Sequence, residues 1–160
     1  MQVATALSQP LTRFDEPVRS LLRQKGSAVW SINPDATVYE AIHMMSERHI
    51  GCLLVLSGGH LTGIVSERDY ARKVVLMGRA SHQTRVREIM SKPVLFVRED
   101  DTLDDAMRLM TTRRLRHLPV LNQEEVAGVI SIGDLVNHVL NSQQQTIHQL
   151  RDYIDGRYPA

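Results

Sequence analysis

GIVSERD at residues 63–69 and GVISIGD at residues 128–134 are two versions of one sequence, 65 positions apart. When residues 32–75 are aligned with residues 97–140 without a gap, more than ten of the 44 pairs are identical, and most of the others keep their apolar or polar character. Composition alone would give roughly three identities in such a window. A repeat of this length indicates two copies of one supersecondary unit that pack on each other.

The hydrophobic period changes in the same order in each copy. Short apolar segments at 29–32 and 94–97 predict a first strand, and Thr37 and Thr102 then begin a Thr-x-x-acid capping box before an apolar stripe with helical spacing. Apolar runs at 50–56 and 61–65, and at 115–121 and 126–130, predict a hairpin in each copy. A second helix begins at Ser66 or Ser131. Its predicted buried residues are Tyr70, Val74 and Val75 in the first copy and Leu135, Val136, Val139 and Leu140 in the second.

The predicted fold class is α+β, with two β-α-β-β-α repeats packed with pseudo-twofold symmetry, because one unit of about 45 residues cannot bury its sheet face alone. We divide the chain into a leading segment with a short helix (1–28), repeat 1 (29–76), a linker (77–92), repeat 2 (93–142) and a helical tail (143–160). The leading helix follows Asp15 and ends near Gly26, residues 86–90 form a comparable turn, and Gly156 ends the tail. The apolar stripe of the tail predicts a lid within the chain or a dimer contact.

Bulk properties exclude several classes of protein. Nineteen basic and eighteen acidic residues give a net charge of +1, which argues against a general nucleic-acid or membrane binder. The single cysteine, Cys52, lies in an apolar run, so we expect a reduced core thiol and no intramolecular disulfide. No apolar run approaches the ~20 residues of a membrane span, and residues 1–14 lack the apolar core of a signal peptide. We therefore expect a soluble, cytoplasmic protein.

The residues best suited to bind a ligand lie at the two junctions where a strand leads into a helix, residues 63–69 and 128–134. The amides and dipole of a helix N-terminus favour an anion, and Gly63 and Gly128 would let a ligand or a neighbouring backbone approach. A serine hydroxyl suits a phosphate, and a carboxylate one turn later suits the two hydroxyls of a ribose. This combination predicts a nucleotide. The alternative is that Ser-x-x-Asp is only a capping box, repeated because the architecture is repeated.

These junctions, together with the two helix starts, resemble a tandem pair of cystathionine-β-synthase (CBS) domains, often called a Bateman module. The resemblance covers about residues 17–142 and also rests on Leu53-Leu54-Val55, Leu118-Pro119-Val120 and the segment 86–90. It implies an adenosine ligand in clefts between the repeats. AMP is the first choice, and ADP, ATP, NAD and S-adenosylmethionine are the alternatives.

The resemblance also implies residue roles. Ser66 and Ser131 would contact phosphate, and Asp69 and Asp134 would hold ribose. The further residues of the implied sites are Cys52, Leu53, His117, Leu118 and Pro119 beside adenine, Thr37 and Thr102 at the helix starts, and Lys25, Gly26 and Ala28 in the leading segment.

The two copies differ in charge at these junctions. Arg68 can add a guanidinium to a phosphate in the first copy, whereas its counterpart in the second copy is Gly133. The second site must therefore borrow a cation or bind a less charged ligand, and we expect unequal affinities. The candidate donors, which would otherwise form only a solvated basic face, are Lys92, Arg113, Arg114, Arg116 and His117.

The sequence gives little support for other functions. The seven histidines have no metal-ligand spacing, and we expect His43 and His138 to be exposed helix residues. Ser66 and Ser131 have no evident base, so we expect no catalysis and no metal. The predicted function is a non-enzymatic nucleotide sensor that regulates another protein in trans, and the resemblance implies a homodimer. The alternatives are a nucleotide-hydrolysing enzyme and a nucleic-acid binder that uses Arg113, Arg114 and Arg116.

Overall fold

The computed structural model describes residues 14–154, apart from the side chains of residues 146, 149, 150 and 152–154. Its order of elements is that of two β-α-β-β-α repeats, each associated with one additional short helix. The elements are α1 (Val18–Lys25), β1 (Ser31–Ile32), α2 (Val38–Arg48), β2 (Cys52–Ser57), β3 (His60–Ser66), α3 (Glu67–Tyr70) with a π-helical turn (Ala71–Val75), α4 (Val86–Ile89), β4 (Val97–Arg98), α5 (Leu103–Arg113), β5 (His117–Asn122), β6 (Glu125–Ser131) and α6 (Ile132–Ile154).

Two three-stranded sheets have the same topology. In the orders β1-β2-β3 and β4-β5-β6, the first strand is parallel to the second, and the second and third form an antiparallel hairpin. The register shifts after Val55 in one hairpin and after Val120 in the other, which are aligned positions of the repeat. The α+β class and the duplicated repeat are thus confirmed.

Helices α2 and α5 begin and end with the same local signals. The hydroxyls of Thr37 and Thr102 accept the amides of Glu40 and Asp105, each at 3.1 Å, and the two carboxylates accept the threonine amides in return. His49 and Arg114 end the helices in the left-handed conformation, each with φ 54°. The capping boxes predicted at Thr37 and Thr102 are therefore confirmed.

The short helices are exchanged between the repeats. Val18, Leu21 and Leu22 of α1 pack in the core of repeat 2, whereas Val86 and Ile89 of α4 pack in the core of repeat 1. Equivalent backbone bonds anchor them: the amide of Val18 donates to Asp101 O at 2.8 Å, and that of Val86 to Ala36 O at 2.9 Å. The core of repeat 2 is therefore completed by α1, which precedes repeat 1 in the chain. The core of repeat 1 is completed by α4, which follows repeat 1.

Two glycines allow this exchange. A Cβ at Gly63 would lie 2.6 Å from the Sδ of Met90, and one at Gly128 would lie 2.7 Å from the Cδ2 of Leu22. The space that the sequence suggested for a ligand or backbone is thus filled by an apolar side chain from beside α4 or from α1. The two glycines serve the packing of the short helices.

Three predictions of burial are wrong. Val75, Val136 and Leu140 are at least half exposed. In repeat 1 the helix widens into a π-helical turn, with bonds from the amide of Leu76 to Ala71 O and from that of Arg79 to Val74 O, so the side chains after Val74 leave the inward face. In α6 the inward stripe is narrower than predicted, because Leu135 and His138 alone of residues 132–140 are buried.

The last helix extends beyond repeat 2, as predicted, and is described as far as Ile154. Gly156, which we expected to end it, lies outside the described residues. Between residues 14 and 154, no helix combines the length and the apolar character that crossing a membrane requires.

Candidate functional site

The second junction combines residues from two distant segments. The amide of Ser131 donates to Oδ2 of Asp134 at 2.8 Å, and Nζ of Lys25 lies 2.6 Å from the same oxygen. Lys25 also donates to Val129 O at 2.6 Å. The side chain of Asp134 remains 22% exposed and that of Lys25 34% exposed. The cation that repeat 2 lacks in its own junction is therefore supplied by the last residue of α1.

This environment shifts the pKa of Asp134. Burial favours the neutral acid, but the hydrogen bonds from Lys25 and Ser131 and the positive charge of Lys25 outweigh it, so the pKa is lower than that of an ordinary aspartate. Asp134 is consequently an anion near neutral pH and is suited to accept hydrogen bonds.

His117 brings the second junction against repeat 1. It is the sheet partner of Ser131, and a Cβ at Gly51 would lie 3.5 Å from its ring carbon Cε1. Burial and the nearby Lys25 lower the pKa of His117, and Asp134 and Glu67 oppose this shift only in part. Three features therefore meet where the two repeats face each other. They are the neutral imidazole of His117, the backbone of Gly51 and the ion pair of Lys25 with Asp134.

In the first junction, nearby side chains cover the carboxylate of Asp69 and occupy both of its oxygens. Asp69 is only 9% exposed, and both of its oxygens are engaged. Oδ2 accepts the amide of Ser66 at 3.0 Å and its hydroxyl at 3.1 Å, and Oδ1 lies 3.2 Å from the hydroxyl of Ser91 and 3.0 Å from Nζ of Lys73. The expectation of a carboxylate that faces an open cleft therefore fits Asp134 better than Asp69.

His138 occupies the position in repeat 2 that aligns with Lys73. The prediction that it is exposed is wrong: it is 5% exposed, with Nε2 at 3.1 Å from Oε2 of Glu16 and Nδ1 at 3.3 Å from Oε1 of Gln24. The reason is that α1 covers this face of α6. His138 thus connects α6 to the helix that carries Lys25, whereas His43 is exposed as predicted.

The predicted adenine-flanking residues lie on the strands opposite the junctions. Cys52 pairs with Ser66 and His117 with Ser131 in the sheet register. Leu53, Leu118 and Pro119 are buried, so their side chains belong to the cores. Burial raises the pKa of the Cys52 thiol to about 12, which confirms the predicted core thiol and makes it unreactive.

Other predicted residues make no contact with Asp69 or Asp134 among the hydrogen bonds and ion pairs of the described residues. The hydroxyls of Thr37 and Thr102 face their own capping boxes. Arg68 is exposed within the first junction, and Arg113, Arg114 and Arg116 are exposed where α5 ends. The nucleotide-binding roles of these residues remain predictions.

Three residues that make contacts at the junctions were not predicted from the sequence. Lys73 is four residues after Asp69, a spacing at which helical ion pairs form, so a local signal was present. Ser91 and Glu67 had no such signal, because their contacts with Asp69 and with the Gly51–His117 region depend on the fold. Among residues 14–154 there is no cluster of three or more histidine, cysteine or acidic side chains that could hold a metal ion.

Comparison with known proteins places these features in a family. A family model, the CBS domain, matches residues 19–76 and 86–141. The mitochondrial CBS domain-containing protein CBSX3 of Arabidopsis thaliana is 38% identical over 138 residues, which cover 83% of this chain and 66% of the plant protein. The chain thus spans just under two thirds of that relative. YhcV of Bacillus subtilis strain 168, another CBS domain-containing protein, is 33% identical over 71% of this chain and 81% of its own length.

Solved structures of similar fold also come from proteins with CBS domains. A candidate signal-transduction protein with CBS domains from Burkholderia ambifaria MC40-6 has 46% identity and a TM-score of 0.77, over 80% of this chain and 96% of the other. A hexameric CBS-CP12 protein from bloom-forming cyanobacteria has 29% identity and a TM-score of 0.68, over 76% of this chain and 70% of the other.

Proposed function

The chain belongs to the CBS-domain family, whose members are generally regulatory, and from this membership we propose that it binds an adenosine nucleotide between its repeats and regulates another protein. AMP is the first candidate, with ADP, ATP, NAD and S-adenosylmethionine as alternatives. The protein senses the ligand without converting it.

The observation that carries this proposal is the arrangement of Lys25, Asp134 and His117 at the second junction. An ammonium group can bind a phosphate, and an ionised carboxylate can accept hydrogen bonds from ribose hydroxyls. The bonds from Ser131 N and Lys25 both end on Oδ2 of Asp134, so Oδ1 is the oxygen presented to a ligand. Gly51 faces the imidazole of His117 without a side chain of its own, so the groups beside the charged pair are uncharged, which suits a neutral base.

The second junction is the stronger of the two candidate sites. Asp69 already accepts hydrogen bonds on both oxygens from Ser66, Ser91 and Lys73, and a ribose would have to displace them. At Asp134 the bonds from the Ser131 amide and from Lys25 both fall on Oδ2, so a ribose has fewer bonds to displace. We therefore expect unequal sites, with Asp134 at the tighter one.

Thermal unfolding with a panel of ligands tests the proposal. A ligand at about 100 times its dissociation constant stabilises the folded chain by ~2.7 kcal/mol, which corresponds to a rise in Tm of roughly 5 to 10 °C for a protein of this size. The panel contains AMP, ADP, ATP, NAD and S-adenosylmethionine, with GMP, CMP and inorganic phosphate as controls. Isothermal titration calorimetry then gives affinity and stoichiometry.

Two outcomes would contradict the proposal. If no adenosine compound raises Tm at millimolar concentration, or if phosphate alone accounts for the rise, the junctions are capping boxes only. Turnover of ATP or NAD by the pure protein would contradict the non-enzymatic assignment. Chromatography of the nucleotides after incubation detects such turnover directly.

Regulation in trans requires that the ligand change the surface of the protein. Because His117 and Gly51 belong to different repeats, a ligand between them can alter how the repeats pack. Hydrogen–deuterium exchange with and without AMP should show changed protection in β5 and around residue 51, and also at an exposed helix face. Protection limited to the contact residues would argue against regulation through packing.

A further inference from the structure

Two aligned residues hold the short helices against the repeats that these helices complete. In repeat 1, Nζ of Lys73 donates to Ile89 O of α4 at 2.8 Å. In repeat 2 the residue 65 positions later, His138, contacts the α1 segment with both ring nitrogens. Its Nε2 lies 3.1 Å from Oε2 of Glu16, and its Nδ1 lies 3.3 Å from Oε1 of Gln24. In both repeats this position therefore anchors a helix that belongs to another part of the chain.

The two contacts of His138 restrain both ends of α1. Glu16 precedes the helix, and Gln24 is the residue before Lys25, which ends it. His138 is only 5% exposed, so water competes little for its hydrogen bonds. Apolar packing alone does not require a histidine here, because Leu135 of the same helix already packs in the core that α1 completes.

The position of the last turn of α1 affects the second junction directly. Nζ of Lys25 lies 2.6 Å from Oδ2 of Asp134 and donates to Val129 O at 2.6 Å. Asp134 and His138 are four residues apart on α6, so the carboxylate and the ring share one face of that helix. A partly exposed ion pair is weak by itself, since a flexible side chain loses freedom when the pair forms. A fixed helix end reduces that loss.

We propose that His138 is a positioning residue of the second junction, which fixes the end of α1 and thereby holds Lys25 at Asp134. The consequence for nucleotide affinity rests on the proposed function, whereas the consequence for Lys25 does not. Without the ring, α1 would keep its apolar contacts with repeat 2, but its last turn would be free to move. The ammonium group of Lys25 would then spend more time in water.

Acetylation of the lysines at neutral pH measures this effect without a nucleotide. The chain has three lysines, Lys25, Lys73 and Lys92, and mass spectrometry of digested peptides gives the rate at which an N-hydroxysuccinimide ester labels each. A nearby carboxylate keeps an amine protonated and so slows its reaction. His138→Leu should therefore raise the rate at Lys25 roughly threefold relative to Lys92, the effect of weakening one partly exposed ion pair. The rate at Lys73 should not change.

Three further variants make the result specific. His43→Leu, which removes an exposed helix histidine that also lies near a carboxylate, is the matched control and should leave the rate at Lys25 unchanged. His138→Asn keeps an N–H donor near the place of Nδ1 and should restore most of the slow rate. Gln24→Ala, at an exposed position, removes the contact nearest Lys25 without altering the core, so it should raise the rate even if His138→Leu does not fold.

Calorimetry with AMP then shows whether the effect passes through Lys25. His138→Leu should weaken AMP binding roughly threefold in the wild-type chain and no further in the Lys25→Gln variant, because residues that act through one another have non-additive effects. An unchanged rate at Lys25 in both His138→Leu and Gln24→Ala would overturn the proposal, as would an equal loss of affinity with and without Lys25. If the wild-type chain binds no AMP, the proposed function fails, and the acetylation rates alone support or overturn the positioning role.

Discussion

The two strand-to-helix junctions share glycine, serine and aspartate at the same spacing, yet the carboxylates have different surroundings. Asp69 is buried and is held by Ser91 and by Lys73 of its own helical segment. Asp134 is partly exposed and is held by Lys25, which is more than a hundred positions away in sequence. The shared motif places the carboxylate at the helix start, and the residues around it determine whether the carboxylate is buried or remains partly exposed.

The difference arises at one aligned pair of residues. Lys73 reaches Asp69 and also donates to Ile89 O at 2.8 Å, so one side chain anchors α4 and neutralises the carboxylate. At the aligned position His138 contacts α1 instead, which leaves Asp134 to a lysine at the end of that helix. The two repeats share their backbone topology, while the side chains at this aligned position make different contacts.

The largest expected effect is on stability when the carboxylates are removed one at a time. Asp69→Ala should lower the free energy of unfolding by about 3 kcal/mol, because it leaves Lys73, Ser66 and Ser91 without their acceptor. Asp134→Ala should cost about 1 kcal/mol, the usual cost of a lost cap, and should weaken the AMP response more. Urea unfolding measures both. Glu124→Ala at a hairpin tip is the control, and equal costs for the two aspartates would remove the distinction between the junctions.

The lysine partners provide the next test. Lys25→Gln should weaken AMP binding about tenfold, the effect of losing one charge-assisted bond of ~1.4 kcal/mol, with little change in stability. Lys73→Gln should lower stability by about 1 kcal/mol and leave the tighter AMP site unchanged. Calorimetry and urea unfolding separate the two effects. Tighter AMP binding by the Lys25 variant would show that Lys25 competes with the ligand for Asp134.

A smaller effect concerns pH, since only the second junction has a histidine on the strand opposite its serine. The pKa of folded His117 is lowered, so the unfolded chain binds a proton more readily, and this residue's contribution to stability is complete above its ordinary pKa of about 6.5. That contribution should fall as pH is lowered from 7.5 to 5.5. His117→Asn should remove part of the fall, measured as the difference in Tm between the two chains. Identical pH profiles would show that Lys25, Asp134, Arg116 and Glu67 leave His117 unperturbed.

The smallest expected effect on stability comes from removing the charge of Arg68, which the second motif lacks. Arg68→Gly gives the first junction the residue found at position 133 and should change stability by no more than about 0.5 kcal/mol, because Arg68 is exposed. It should weaken the first nucleotide site alone. Calorimetry that found two identical sites, weakened alike by this change, would contradict the predicted inequality.

Much of the fold followed from sequence because its signals are local. The capping boxes at Thr37 and Thr102 and the two hairpins depend on residues within a few positions of one another, and the duplication is visible when the sequence is aligned with itself. The exchange of α1 and α4 could not be predicted, since a short amphipathic helix carries no mark of which sheet it covers. The exposure of Val75 depends on a π-helical turn, which has no local signal in the sequence.

The sequence indicated which residues to consider for the candidate site, but not how exposed they are or which distant residues they contact. Ser131, Asp134, His117 and Lys25 lie close together, and their nucleotide-binding roles remain predictions. The burial of Asp69 was not foreseen, because Ser91 reaches it only after α4 packs on repeat 1. His138 was misplaced for a similar reason, since a helix far away in sequence covers it.

By itself, the sequence determined most of the secondary structure and the internal duplication, because spacing and periodicity can be read along the chain, and its repeated motifs carried the resemblance to the family. Only the tertiary structure decided that α1 packs on repeat 2 and that Lys25 rather than a nearby arginine pairs with Asp134. The physical reason is that burial and charge pairing depend on which distant segments touch, and a pattern along the chain does not contain that information.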